Sequence, residues 1–453
     1  MIQSSHVLTT TADTGLSFSP PMATTLAAAA AAVALVIDGG TPDASLQALA
    51  SGVRPGAMDL SYNALRDFGR GDFLLSKLME TPPADVLVRS LLLVALSRLE
   101  RRPDEAHTVV NQATTAATTI GNGRYKGLVN GVLRNFLRRK DELIEAADAD
   151  NVASARHPAW WIKRLRMDHP DRWQEISATG NTHPPMCLRF NRRRMASTNW
   201  QSALAEAGIN TRRLDNEALL LDRPIAVERV PGFVTGICSV QDFGAQAAAH
   251  LLDVTDGMKV LDACAAPGGK SAHLLELAEI NLLALDHDAR RLGRIESNLA
   301  RLGLSAQVSL GDAAKPERWW DGVPFDRILA DVPCTASGVI RRHPDAKWLR
   351  RETDIAKFAK QQAKIIDALW QTLARGGKML YATCSVFRQE NELQMLNFVG
   401  RHADAIRLPT KMINSSLKST ATTADVPNTN DLELRLLPTA EHDGFYYALL
   451  QKR

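Results

Sequence analysis

The chain has 453 residues, of which 45% are hydrophobic and 23% charged, with a net charge of +4. That length exceeds one ordinary core and implies two or three domains. The composition is that of a soluble globular protein, and so small a net charge does not by itself imply a nucleic-acid partner. Five scattered cysteines, at 187, 238, 264, 334 and 384, fit neither a disulfide framework nor a zinc spacing, so no metal is expected and a reducing cytoplasm suits the chain best.

Residues 1–20 are rich in Ser and Thr without a pattern and read as a disordered tail. No Lys or Arg precedes Arg54, and the apolar run "LAAAAAAVALVI" at 26–37 is too short to span a bilayer. It reads as an Ala-rich helix of a first domain, 21–148. "DVLVRSLLLVALSRLERR" and "YKGLVNGVLRNFLRRKDELI" repeat apolar residues at three- and four-residue steps, and Asp104 is placed to cap a further helix. This domain is expected to be all-helical, with Arg134, Arg138, Arg139 and Lys140 as a basic cluster for RNA phosphates.

Between 149 and 245 the texture changes to a small α+β module. "HPAWWIKRLRMDHPDRW" is basic and aromatic, and "PPMCLRFNRRR" reads as a strand carrying Arg189, Arg192, Arg193 and Arg194. Aromatics among basic residues suit RNA stacking and phosphate contact, while Trp160 and Trp161 packed inside, with the arginines as a solvated face, is the competing reading.

From 246 to 453 apolar strands alternate with amphipathic helices, the mark of a parallel sheet covered on both faces, with "LELRLL" and "GFYYALLQ" as a closing antiparallel pair. Ligands of such sheets sit at the carboxyl ends of the strands, where this chain has Asp262, Asp286, Asp312, Asp331, Cys334 and Cys384.

"CAAPGGKS" ends like a phosphate-binding loop, but Cys264 stands where that loop needs its first glycine. The dinucleotide fingerprint is absent as well. What remains is a loop built for close backbone approach, at Pro267, Gly268 and Gly269, followed by Asp286 for a ribose diol and Asp312 for an adenine amino group. A nucleoside without a phosphate chain fits, and S-adenosylmethionine is the common one. A lone Asp at a strand end is more often a helix cap, but three in succession after a glycine loop favour the ligand. Cys334 and Cys384 end neighbouring strands, so both thiols can face one pocket. Methylating carbon 5 of a pyrimidine requires a nucleophile at carbon 6, and thiolate suits that task.

"LDACAAPGGKSAHLLEL", "FDRILADVPCTASGVIRRHPDAKW" and "LARGGKMLYATCSVFRQENE" resemble the RNA (cytosine-5) methyltransferases of the NOL/NOP2/Sun family. The helical front, with "LVNGVLRNF", resembles the NusB-type RNA-binding domain. The likeness covers roughly 25–450, and Val332 and Thr335 are conservative departures from the pattern. It implies a class I S-adenosylmethionine-dependent methyltransferase fold of Rossmann type, acting in this domain combination on small-subunit (16S) ribosomal RNA. The cofactor would be held by Cys264, Ala265, Ala266, Pro267, Gly268, Gly269 and Lys270 with Asp286, Asp312 and Asp331. Cys384 would be the nucleophile, Asp331 would meet the N3 edge of a flipped-out cytosine, and Cys334 would assist adduct breakdown. From the residues alone either thiol can be the attacker. Arg341, Arg342, His343, Lys347, Arg350 and Arg351 are read as a phosphate clamp, against a solvated helix end. A monomer is expected, with no membrane partner. The alternatives are a cytosine-5 methyltransferase of another RNA such as tRNA, and a non-catalytic RNA-binding or antitermination factor.

Overall fold

The computed structural model describes residues 21–195, 197–215, 217–410 and 432–453; the expected tail at 1–20 lies outside them. The chain divides into two compact units between Ala149 and Asp150. No helix of the described residues is long and apolar enough to cross a membrane.

The described part of the first unit is helical throughout. The Ala-rich run forms Met22–Ile37, where Leu26, Ala29, Ala30 and Val33 are buried. Small side chains let neighbouring backbones approach, and the unbroken apolar stretch Leu91–Leu96 of helix Val86–Arg101 fills the centre. Asp85 caps that helix, its Oδ1 accepting from the backbone N–H groups of Leu87 and Val88. Asp104 is not a cap: it pairs with Arg102 inside a short 3₁₀ turn. Helix Lys126–Arg138 buries Val129, Val132, Leu133 and Phe136 and leaves Arg134 and Arg138 exposed.

The described residues of the second unit form two sheets. The smaller is antiparallel, formed by β1 (Cys187–Phe190), β2 (Thr211–Arg213), β3 (Ala218–Leu221) and β4 (Cys238–Val240) in the order β2-β3-β1-β4. The larger contains β5 (Lys259–Asp262), β6 (Asn281–Asp286), β7 (Gln307–Leu310), β8 (Phe325–Asp331), β9 (Leu373–Thr383), β10 (Ala405–Leu408), β11 (Leu434–Leu436) and β12 (Phe445–Lys452). Its order is β10-β12-β9-β8-β5-β6-β7, with β11 paired to β12. Strands β5 to β9 run parallel. β12 enters antiparallel between β9 and β10. The expected antiparallel pair is present as β11 and β12, but the sheet is mixed, and β10 had no signal in the sequence strong enough to find it.

Period-two alternation splits each central strand between two cores. Val260, Leu329, Leu380 and Tyr447 pack on one face with helices Phe243–Leu252, Gly269–Leu277 and Ala289–Leu302. Leu261, Ile328, Met379 and Tyr446 pack on the other with helices Glu352–Thr372 and Glu392–Arg401.

The same alternation decides the arginines of β1. Leu188 and Phe190 face the module's own core, where Phe190 stacks on Trp200, while Arg189 points out of it and is wholly buried against the large sheet's helices. Its Nε and Nη2 donate to the two carboxylate oxygens of Glu276 at 2.8 Å each, and its Nη1 donates to the Gly269 carbonyl at 2.9 Å and to Gln241. Arg193 donates to the Glu276 carbonyl, Arg194 to the Leu302 carbonyl, and Arg192 pairs with Glu217. The arginines read as an RNA face are therefore bonded within the unit. The tryptophans follow: Trp161 is fully buried, and it and Trp160 lie against Phe387.

Removing one partner of a buried bidentate pair strands the other charge. Arg189→Met should cost about 3–5 kcal/mol in urea denaturation of the second unit, and adding Glu276→Met should recover most of it.

Candidate active site

β5 ends at Asp262, and the chain then turns through Ala263–Pro267 into helix Gly269–Leu277. Gly268 takes φ +94°, and a Cβ there would lie 3.1 Å from the Ile295 Cα, so the turn requires glycine twice over. The loop is tied down residue by residue. The Ala263 N–H donates to the Leu329 carbonyl and the Ala265 N–H to the Leu285 carbonyl, while Asn298 and Arg291 donate to the carbonyls of Pro267 and Ala266.

Four carboxylates end or follow β5, β6, β7 and β8 at this edge of the sheet. Asp286 is buried and accepts from the N–H of Ala266 at 3.1 Å and of Asp288 at 3.1 Å. Asp312 is half exposed, accepting from the Ala314 N–H at 3.0 Å and pairing with Lys315 at 3.2 Å; against partial burial, these contacts hold its carboxyl below the usual range. Asp331 accepts from the Lys270 ammonium at 2.6 Å. Asp262 accepts from the Ser271 hydroxyl through Oδ2 at 2.6 Å, while its buried Oδ1 has no protein partner. Burial, with Asp331 and Asp286 nearby, pushes Asp262 up to about 7. Cys264 lies in the same field, and burial and these carboxylates hold its thiol well above the ordinary range. Although burial opposes it, Lys270 keeps its proton more firmly than a free lysine because Asp331, and after it Cys384, lie close.

The two thiols meet because β8 and β9 pair in parallel with Asp331 opposite Ala382. The strand ends stay joined beyond the sheet: the Val332 N–H donates to the Ala382 carbonyl and the Gly338 N–H to the Cys384 carbonyl. Cys334 Sγ and Cys384 Sγ stand 3.4 Å apart, Cys334 buried and Cys384 partly exposed. The bond to Cys384, then burial, holds the Cys334 thiol far above its ordinary range. Between the cysteine and Gly338 the backbone turns at Ala336 with φ +60°. Gly338 and Gly444 then cross so closely that a Cβ on Gly338 would sit 2.4 Å from the Gly444 oxygen. Cys187 and Cys238 are buried elsewhere, and burial pushes Cys238 up to about 12.

The basic run after Cys334 is not a free clamp. Arg341 and Arg342 both pair with the buried Asp443, Arg342 also reaches Asp242 at 2.9 Å, and Lys347 is buried, donating to the Arg156 carbonyl and the Asn181 side chain. His343 and Arg351 are exposed, and Arg350 lies over the Phe358 ring. Sequence reasoning missed Glu390 and Asn391, which lie in the quoted "QENE" without an assigned task and prove to be buried beneath both cysteine loops.

Among the described residues, one group has metal-like proximity: Glu217, His250 and His273. Hydrogen bonds account for it. Both imidazole Nε2 atoms approach one Glu217 oxygen, at 2.9 Å from His273 and 3.4 Å from His250. A metal on His273 Nε2 would force its proton onto the buried Nδ1, which has no acceptor.

Comparison with known proteins bears on the whole chain. Residues 249–451 match the family described as 16S rRNA methyltransferase RsmB/F, 157–228 the RsmF/B-like ferredoxin-like domain, and 32–138 the NusB family. The chain is 39% identical over 439 residues to "Ribosomal RNA small subunit methyltransferase B" of Yersinia enterocolitica, covering 94% of this chain and 98% of that protein. It is 40% identical to the protein of the same description from Vibrio cholerae, covering 94% and 97%. A crystal structure of a methyltransferase homolog protein from Pyrococcus horikoshii superposes with a TM-score of 0.58 at 25% identity, covering 67% of this chain and 97% of that one.

The raised Asp262 gives a pH prediction. Between its unfolded value, about 4, and about 7 in the fold, the native state keeps a proton that the unfolded chain has lost. This group therefore lowers stability as pH rises through that window. The denaturation midpoint of the wild type should fall more steeply from pH 5 to 7 than that of Asp262→Asn.

Proposed function

The chain belongs to the 16S rRNA methyltransferase RsmB/F family, and from that premise we propose that it methylates carbon 5 of a cytosine in small-subunit ribosomal RNA through a covalent cysteine adduct. That it is an S-adenosylmethionine-dependent methyltransferase follows from the family. The loop suits this cofactor chemically. Lys270 pairs with Asp331, Arg291 lies 3.5 Å from Asp286 and Lys315 lies 3.2 Å from Asp312, so the four carboxyl groups outnumber the three cations beside them, an excess that complements a sulfonium and an α-ammonium. The orphan Oδ1 of Asp262 is a free acceptor in the same place. On this reading Ala265–Lys270 supply the backbone cradle, Asp286 the ribose contact and Asp312 the adenine contact. S-adenosylmethionine supplies an electrophilic methyl group.

The observation that carries the cytosine-5 reading is the pair of thiols 3.4 Å apart at adjacent strand ends beside that loop. In the proposed sequence Cys384, the more exposed of the two, adds as thiolate to carbon 6, and the electron pair of the 5,6 double bond moves to carbon 5. Asp331, with the Lys270 ammonium donating to it at 2.6 Å, meets the N3 edge of the ring, and that ammonium balances the charge that develops there. After carbon 5 is methylated, its hydrogen passes as a proton to a base in the pocket, the carbon–hydrogen pair restores the 5,6 double bond, and the carbon 6–sulfur bond breaks, returning its pair to Cys384. Cys334, whose Sγ lies 3.4 Å from that of Cys384, is the residue assigned on this reading to assist that release. The cytosine must be out of its stack to reach the thiols, which costs least in an unpaired or loosened segment.

Bisulfite mapping of small-subunit ribosomal RNA, with and without the gene, should lose one 5-methylcytosine. Loss of a site in transfer RNA alone would overturn the substrate. Cys384→Ala should cut activity on the order of a thousandfold or more and form no RNA adduct, whereas Cys334→Ala should accumulate an adduct that survives denaturing electrophoresis. Trapping only after Cys384 is removed would exchange the two roles.

The exposed Arg134 and Arg138 of the helical unit are the candidates for phosphate contact, since Arg139 is paired with Glu142 at 2.7 Å. Reversing both charges should reduce the salt dependence of RNA binding by about one unit of slope per lost contact. Cofactor binding should stay unchanged.

A further inference from the structure

Two loops that carry reactive sulfurs share one buried carboxylate. Glu390 has no solvent exposure, and neither the cofactor loop nor Asp331 touches it among the contacts described. Its Oε1 accepts from the Thr335 N–H at 2.9 Å and from Gln362 at 3.1 Å. Its Oε2 accepts from the Thr335 hydroxyl at 2.6 Å and the Ser385 hydroxyl at 2.5 Å. Thr335 follows Cys334 and Ser385 follows Cys384 in the chain. Four donors, two of them hydroxyls adjacent to the thiols in sequence, fill the carboxylate, so both loops are referred to a single rigid point.

The neighbours reinforce that point. Asn391 accepts from the Thr383 hydroxyl at 2.6 Å and donates to the Ser385 carbonyl at 2.8 Å, bracketing Cys384 from both sides. Gln362 donates to the Pro333 carbonyl at 2.9 Å, on the other side of Cys334 from Thr335. Ser337 bridges across, bonded to the Ser385 hydroxyl at 3.0 Å and accepting from the Val386 N–H at 2.9 Å. Tyr381 donates to the Glu390 carbonyl at 2.6 Å, fixing the acid's own backbone to β9. A packing role alone would be served by an apolar residue, because a buried carboxylate costs folding energy unless every oxygen is used. Here burial raises the Glu390 carboxyl while the Ser385 and Thr335 donors pull it down, as expected of an acid kept for its acceptors.

We propose that Glu390 is a positioning residue that fixes the separation of Cys334 and Cys384, and through it the release of the covalent adduct. The proposal rests on the covalent reading above. If the sulfurs drift apart, attack by Cys384 survives better than release assisted by Cys334, because attack needs one thiol and release needs both.

The test uses the full-length protein, in vitro transcribed small-subunit ribosomal RNA and S-adenosylmethionine. Glu390→Ala should lower turnover by about 10²-fold, raise the fraction of protein trapped on RNA, and reduce cross-linking of Cys334 to Cys384 by dibromobimane. Glu390→Gln keeps the shape and lets the two hydroxyls reverse their bonds, so it should restore most of the cross-linking and turnover. The double variant Thr335→Val with Ser385→Ala leaves the acid in place and should reproduce the alanine phenotype, which keeps the test open if Glu390→Ala does not fold. Wild-type cross-linking and trapping in Glu390→Ala, or in the double variant, would overturn the proposal. Cross-linking needs no RNA, so it judges Glu390 even if Cys384→Ala stays active and the covalent reading itself fails.

Discussion

The parallel pairing of β8 with β9 is the constraint on which the site depends. A register with Asp331 opposite Ala382 leaves each strand three or fewer residues short of its cysteine, and the backbone bonds beyond the sheet carry that register into the loops. A one-residue slip would turn every side chain of β9 to the opposite face, sending Tyr381 and Met379 into the wrong core. The thiol distance is thus enforced by hydrophobic burial on both faces of the sheet. Loop chemistry then refines it through Glu390 and Asn391.

The glycine loop after β5 shows the opposite case. Asp262, Asp286 and Asp331 are gathered where their charges repel, answered by Lys270 at Asp331, Arg291 at 3.5 Å from Asp286, the Ser271 hydroxyl and a few N–H groups. Such a cluster opposes folding and favours a cationic ligand, so binding and stability are linked there. Its geometry survives because the neighbouring scaffold is fixed independently. Arg189 holds both Glu276 and the Gly269 carbonyl, and Ile295 packs so near Gly268 that a Cβ there would lie 3.1 Å from its Cα.

Much of this was legible in the sequence, for reasons that can be stated. Strand ends announce themselves by apolar runs that stop at Asp or Cys, and those runs placed Asp262, Asp286, Asp331, Cys334 and Cys384 at the tips of β5, β6, β8 and β9. The fold class and its two accessory domains followed from periodicity and from the quoted motifs. The basic residues were legible only as charge. "NRRR" and "VIRRHPDAKW" look like nucleic-acid surfaces because charge is visible in sequence while its partner is not. Glu276 lies 87 positions from Arg189, and Asp443 lies 102 from Arg341. Glu390 was overlooked for the same reason: an acid in a helix-forming stretch looks solvent-facing until the fold brings two hydroxyls over it. β12 was seen as a strand but not as an interior one, since its place between β9 and β10 is decided by pairing and not by its own composition.

That interior place has a consequence for synthesis. Residues emerge from the ribosome in order, at roughly 5–20 per second, and domains fold as they appear. β5 to β9 can pair as soon as they are made, but the edge of β9 facing β12 stays open until residues 445–452 follow. The Cys334 loop waits as well, because Gly338 closes against Gly444 and Arg341 against Asp443. A nascent chain therefore carries both cysteines on an unfinished frame. The frame around the two thiols is complete only once residues 443–452 have been made, and a chain stopped before them cannot hold the pair in place.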